Sequence, residues 1–231
     1  GEGDITKEGF ANRELYILNE AQDACAKMWE RIAHRYLGYA NIAGYELLTE
    51  PHGVPVHLWR RLSQRLVDAI RNVDESTPIL IPPPNGGVAS SLDGWVPLQG
   101  KNLVTTVHQY EPYEFTHEHQ EKMWQEVLDV KYRQMHTWSR RMGQPVFVNE
   151  YGVSGKAPFA KEFMVRQTAL LNQSGFSSAA WLWEVHDPIF AERKFDITHH
   201  RNSLLEPLQD YWRGNLIWPA SPVSPVEPPG R

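Results

Sequence analysis

The chain has 231 residues, 41% of them hydrophobic, enough for one substantial core, and α/β barrels reach this length as a single domain. Its formal net charge of −5 comes from intermixed acidic and basic residues without a basic stripe to follow a phosphate backbone, so nucleic acid is not an expected partner. The single cysteine, Cys25, excludes an internal disulfide and a cysteine-built metal cage, and no stretch approaches the ~18 apolar residues of a membrane span, so no membrane partner is expected.

The first residues, Gly1-Glu2-Gly3-Asp4, resemble neither an initiator start nor a signal peptide, and the chain reads as a mature or truncated product. Nine tryptophans exceed what a soluble core usually needs, and flat rings suit the apolar faces of sugars.

Residues 13 to 37 place Leu15, Leu18, Ala21, Cys25, Met28, Ile32 and Tyr36 three or four apart, which predicts a long helix with Gly38 as its stop. The run from Ile42 to Leu48 is short and mostly apolar, as a buried parallel strand should be, and it leads into Thr49-Glu50-Pro51. A helix over 56 to 73 precedes a strand at 78 to 81. A Gly/Pro/Ser-rich loop then leads to a strand at 103 to 107. A helix over 118 to 142 precedes a strand at 145 to 148, and a helix over 159 to 174 precedes a strand at 179 to 183. Alternating strands and helices imply βα units and a parallel sheet of about five strands. The first 218 residues read as one domain, and residues 219 to 231, rich in Pro, Ser and Val, as an extended tail or linker.

Each apolar run ends in polar or aromatic residues: Thr49-Glu50, His108-Gln109-Tyr110, Asn149-Glu150-Tyr151-Gly152 and Trp183-Glu184. The carboxyl ends of parallel strands are where α/β folds bind ligands. Two of these residues, Glu50 and Glu150, are carboxylates that strands of one sheet can bring together, the arrangement glycoside hydrolysis requires. In a retaining reaction one carboxyl group protonates the departing oxygen while the other, roughly 5 Å away, attacks the anomeric carbon. The bland alternative makes both residues helix caps or solvated loop acids. The pair His117 and His119 lacks the i, i+4 spacing of a helical metal site, and Gly152-Val153-Ser154-Gly155 fits neither a nucleophile elbow nor a phosphate loop.

Together, "GYELLTEP", "VHQYEP", "VFVNEYG" and "AAWLWE" resemble glycoside hydrolase family 5, the cellulase-like retaining (β/α)8 enzymes, over roughly residues 12 to 215. The resemblance implies Glu50 as acid/base, Glu150 as nucleophile, His108 and Tyr110 flanking the carboxylates, and Trp183 as a sugar platform. It also implies a secreted enzyme acting on β-glucan or a related polysaccharide. Tyr110 is expected to hold Glu150 by a hydrogen bond that favours the ionised carboxylate. The run from Tyr110 to His117 resembles a stretch of bacterial endoglucanases of this family and makes Tyr113 and Phe115 candidate cleft residues. Two carboxylates suffice for the reaction, so neither metal nor organic cofactor is expected.

The resemblance breaks at two places. The residue before the acid/base is asparagine in the family and Thr49 here, a shorter side chain with one donor hydrogen, which predicts a slow enzyme or an altered substrate grip. The matching motifs also correspond to strands four to eight alone, so a partial (β/α)8 barrel, a half-barrel of about five strands, is expected. Bare strand edges promote association, and a homodimer pairing the last strand of each chain with the first of the other would close the ring. The alternative is a fragment of a longer gene. On function, the competing expectation is a catalytically weak or inactive carbohydrate-binding barrel fragment.

Overall fold

The computed structural model describes residues 13–121, 123–184 and 193–214. Five strands are present: β1 (Tyr45–Glu46), β2 (Ile79–Ile81), β3 (Leu103–Gln109), β4 (Val146–Tyr151) and β5 (Ser177–Ala180). They lie in one sheet in the order β1-β2-β3-β4-β5, which is chain order. The registers are parallel where Tyr45 faces Ile79, Ile79 faces Leu103 and Phe147 faces Ser177. Helices α1 (Arg13–Ile17), α2 (Asn19–Tyr36), α3 (Val56–Arg71), α4 (Tyr113–Thr116), α5 (Trp124–Met142), α6 (Ala160–Ser174) and α7 (Glu206–Gly214) precede, separate and follow the strands. The fold class is thus the expected one, five parallel strands of a partial (β/α)8 barrel. The Pro-rich tail at 219 to 231 lies outside the described residues.

Several boundaries differ from the sequence expectation, each for a local reason. The first helix is two: Leu18 adopts extended backbone (φ −91°, ψ 122°) between α1 and α2, although its N–H still bonds the Glu14 carbonyl at 2.8 Å. α2 ends at Tyr36, with Gly38 at φ +79° just beyond it, the left-handed position that favours glycine. The helix expected from 118 starts only at Trp124, because His119 (φ +64°) and Met123 (φ +42°) take left-handed backbone that no helix contains. The last strand comes earlier than expected, at Ser177–Ala180, and its alternating exposure is that of an outer strand with one covered face. Sequence reasoning also passed over α7, which follows a π-helical turn at Arg201–Leu205 and buries Pro207 and Leu208.

The described residues form two compact units, one comprising 13–87 and 93–106, the other taken from 88–92 and from 107 onward, with the boundary inside β3. In the first, α3 turns Trp59, Leu62, Leu66, Val67 and Ile70 inward, a three-to-four spacing that makes one apolar stripe. The Trp59 indole N–H donates to the Pro82 carbonyl at 2.8 Å, so even this buried ring has its polar atom satisfied. In the second, Phe115 stacks on Trp124 and Phe163, which meet each other at a tilt, with centroids 5.3 to 5.4 Å apart. Tyr132 and Tyr151 lie buried in the same unit, and burial pushes both phenols above their ordinary range.

β1 is held from below by Asp74. This buried carboxylate accepts from the Tyr45 hydroxyl (3.1 Å), the Ser76 and Thr77 amides (2.9 Å each) and the Thr77 hydroxyl (2.6 Å). Burial alone would raise its pKa, but the Thr77, Ser76 and Tyr45 hydrogen bonds outweigh it and hold the group below the usual carboxylate range. A carboxyl group whose folded pKa is depressed contributes stability above its unfolded pKa, about 3.9, and loses it as pH falls further. Asp74→Ala is therefore expected to lower the unfolding free energy by about 2–4 kcal/mol at neutral pH. In urea titrations at pH 7 and pH 3 the gap to the unmodified protein should narrow at the lower pH. An equal gap at both would contradict the assignment.

Candidate active site

In the first unit the backbone beyond β1 turns sharply. Leu47 still donates to the Leu80 carbonyl at 3.1 Å, Thr49 is exposed, and Glu50 then takes φ +47°. A left-handed non-glycine residue costs on the order of 1 kcal/mol, and such positions cluster where a side chain must be aimed. The turn is braced from 85 to 87: the Gly86 amide donates to the Pro51 carbonyl at 3.2 Å, and the His52 ring lies against Gly86. Gly86 takes φ +85°, a left-handed backbone that strains any residue with a side chain, and a Cβ there would press on the His52 ring at 2.8 Å unless the ring moved aside.

In the second unit, the end of β3 and the end of β4 build a carboxylate site. The Tyr110 hydroxyl donates to Glu150 Oε2 at 2.9 Å, and His108 Nδ1 stands 3.4 Å from the same oxygen, an ion pair when the ring is protonated. His108 is buried, whereas Glu150 is partly open to solvent. An irregularity in β4 aims the glutamate. Val148 faces Ser178 and Tyr151 faces Ala180, so β4 advances three residues where β5 advances two. Asn149 and Glu150 occupy that bulge, a device that re-aims side chains beside active sites.

The remaining expected residues separate into two groups. Trp183 is 57% exposed, and Trp181, which the sequence reading did not single out, is 47% exposed. Both lie beyond the end of β5, in a segment held by bonds from Trp181 N to the Tyr151 carbonyl (2.9 Å) and from Thr198 N to the Trp183 carbonyl (3.2 Å). Tyr113 is exposed and stacks on His117 with centroids 3.9 Å apart, and Tyr110 and Phe195 meet the same imidazole. Phe115, by contrast, has no exposed surface; it is packed against Trp124 and Phe163 and cannot line a cleft. Tyr113 and Phe115 lie two apart on a single helical turn, so their side chains point in different directions.

The family model described as Cellulase (glycosyl hydrolase family 5) matches residues 6–187. The chain belongs to glycosyl hydrolase family 5. Among curated relatives, Endoglucanase H of Acetivibrio thermocellus is 27% identical over 168 residues, covering 67% of this chain and 18% of that protein. Endoglucanase EG-II of Hypocrea jecorina is 24% identical over 159 residues, 64% of this chain and 37% of that one. The chain thus spans well under half the length of these relatives. Among solved structures, a hyperthermophilic endo-β-1,4-glucanase in complex with substrate has a TM-score of 0.72 at 22% identity, over 88% of this chain and 69% of that one. Endoglucanase Cel5A of Thermotoga maritima has 0.69 at 24%, over 84% and 69%. At these identities the structural likeness is one of fold.

For a family 5 chain, the surroundings of Tyr110 were the part least visible beforehand. Thr116 Oγ1 donates to the Tyr110 carbonyl at 2.7 Å, and Lys131 Nζ lies 2.9 Å from Glu111 Oε1. The first contact spans six residues and the second twenty, and neither has a signature in residue spacing. The division between core and surface aromatics is directly testable by thermal or urea unfolding. Phe115→Ala should cost about 3–5 kcal/mol, as large-to-small core changes do. Trp183→Ala should stay within about 0.5 kcal/mol of the unmodified protein. Equal losses at the two positions would contradict the placement.

Proposed function

We propose that this chain is the catalytic part of a retaining endo-β-1,4-glucanase, with Glu150 as nucleophile and Glu50 as acid/base. The observation that carries the reading is the Glu150 carboxylate in the β4 bulge, with Tyr110 donating to it at 2.9 Å and His108 3.4 Å away. Membership of the cellulase family and relatives named endoglucanases support the substrate class.

In the first half-reaction Glu150 attacks the anomeric carbon, the glycosidic C–O bond breaks, and the leaving oxygen takes the Glu50 proton. In the second, Glu50 accepts a proton from water, whose oxygen attacks the same carbon and frees the Glu150 carboxylate. The Tyr110 hydrogen bond favours the charged form of the nucleophile and fixes its rotamer. Trp183 and Trp181 offer exposed indole faces for sugar rings, and Tyr113 offers a third aromatic surface. A polymeric substrate suits an enzyme acting outside the cell, and among the described residues no helix is long and apolar enough to cross a membrane. Thermotoga maritima Cel5A has been solved with cellobiose and with mannotriose, so β-mannan belongs beside β-glucan and xylan in a substrate screen.

Thr49 favours a second reading, a carbohydrate-binding fragment with little turnover. A threonine cannot reproduce the paired donor and acceptor of an asparagine amide, and losing a contact made in the transition state costs roughly a hundredfold in rate. One experiment separates the two. Glu150→Ala and Glu50→Ala should each cut reducing-sugar release from soluble β-glucan by at least about a thousandfold while retaining oligosaccharide binding. Variants as fast as the unmodified protein would refute the residue assignment. Saturable binding without any sugar release by the unmodified protein would establish the binding reading instead.

We also propose association through the sheet's outer strands. β1 and β5 end the described sheet, and outer strands invite pairing with a second copy around a two-fold axis. Light scattering at micromolar concentration should return twice the chain mass, and a stable monomer would refute the dimer.

A further inference from the structure

Glu111 follows Tyr110 directly, yet its carboxylate faces a different set of partners. Glu111 Oε2 accepts from the Ser90 amide at 3.1 Å, and Oε1 accepts from the Ser90 hydroxyl. Lys131 Nζ pairs with the same Oε1 at 2.9 Å and also donates to the Ser90 hydroxyl oxygen. The hydroxyl thus donates a hydrogen bond to Glu111 while accepting one from Lys131, which closes a ring of three side chains in one unit. Ser90 belongs to the 3-10 turn at Ala89–Leu92 and Lys131 to α5, so the ring ties a loop and a helix to the residue after Tyr110. Glu111 and Lys131 are 19% and 18% exposed, so the pair is shielded well enough to hold one geometry, unlike an exposed ion pair.

The other side of Tyr110 is pinned as well. The Gln109 carbonyl accepts from Gln167 Nε2 at 3.2 Å, and Gln109 Nε2 donates to the Glu111 carbonyl at 2.9 Å. The Tyr110 carbonyl itself accepts from Thr116. Such fixation matters because the phenol oxygen lies about 6 Å from its own Cα. A backbone rotation of roughly 10° would carry the oxygen by about 1 Å, the scale of error that dissolves a catalytic contact.

We propose that Lys131, Ser90 and Glu111 are positioning residues that set the Tyr110 hydroxyl against Glu150. The proposal rests on the reading of Glu150 as nucleophile for its kinetic consequence, but its geometric content stands apart from that reading. Lys131→Met breaks the ring by removing its cation. Lys131→Arg keeps the charge and donor. Ser90→Ala removes the bridging hydroxyl and no charge. Lys161→Met, at an exposed pair with Glu206, is the control.

Two readouts are taken on the full chain. The first is steady-state hydrolysis of soluble β-glucan. For Lys131→Met, kcat should fall about ten- to a hundredfold with KM within about twofold, Lys131→Arg should recover most of it, and Lys161→Met should change neither. Lys131→Met added to Tyr110→Phe should cost little beyond Tyr110→Phe alone, because both remove one contact. The second readout is the 13C resonance of labelled Tyr110, assigned by its loss in Tyr110→Phe. It should move in Lys131→Met and in Ser90→Ala and stay in place in Lys161→Met.

A resonance unmoved in both ring variants overturns the proposal whatever the rates do. So does a loss in Lys131→Met that simply adds to that of Tyr110→Phe. If the unmodified protein shows no turnover, the functional reading fails while the resonance still decides the positioning role. If Lys131→Met does not fold, the Tyr110 resonance in Ser90→Ala decides: a moved signal supports the positioning role and an unmoved one overturns it.

Discussion

The contact between Tyr110 and Glu150 exists because β3 and β4 are parallel neighbours. Their carboxyl ends emerge on the same side, so a residue just past β3 and one near the end of β4 meet across forty positions of sequence. Antiparallel pairing would put the two at opposite ends. The rest of the second unit follows from that constraint. The β4 bulge turns Glu150 toward the tyrosine, the packed Phe115, Trp124 and Phe163 support the segment after β3, and hydrogen bonds from Thr116 and Gln167 hold the backbone on which Tyr110 is mounted.

The first unit solves a similar delivery problem by other means. β1 is short; Tyr45 and Leu47 donate to the Pro78 and Leu80 carbonyls, and the Tyr45 hydroxyl adds a bond to the buried Asp74 carboxylate. Past that strand Glu50 is forced into left-handed backbone, and the glycine at 86 supplies the close approach that lets His52 and Pro51 brace the turn. Each carboxylate that the family motifs single out therefore sits at a local irregularity, a positive φ in one case and a bulge in the other. Regular backbone does not aim side chains off the sheet axis, so such departures mark where the chain is specialised.

Much of this was legible in the residues themselves. Apolar runs of three to seven residues separated by helical stripes disclosed a parallel α/β sheet, and the polar residues ending those runs disclosed the rim. What stayed hidden has physical causes. Ser177 and Ser178 look like loop, yet they form an outer strand whose exposed face tolerates hydroxyls, so the apolar Trp181 to Trp183 segment drew the strand too far along. Residues 118 to 123 have a helix-compatible composition, and only the left-handed backbone at His119 and Met123 excludes them. Phe115 and Tyr113 are indistinguishable as aromatic loop residues until the helical turn sends one inward and the other out. The Lys131–Ser90–Glu111 ring joins positions about forty and twenty apart, a distance over which no local pattern operates.

The central proposal is that Glu150 forms a covalent bond to the sugar and releases it with the anomeric configuration it began with. Proton NMR of the anomeric signals in the first minutes of cello-oligosaccharide hydrolysis, before mutarotation, reads this directly. The account predicts that the β-anomer appears first and the α-anomer only as mutarotation proceeds. An α-anomer formed first would mean direct attack by water, with Glu150 as a general base, and would contradict it.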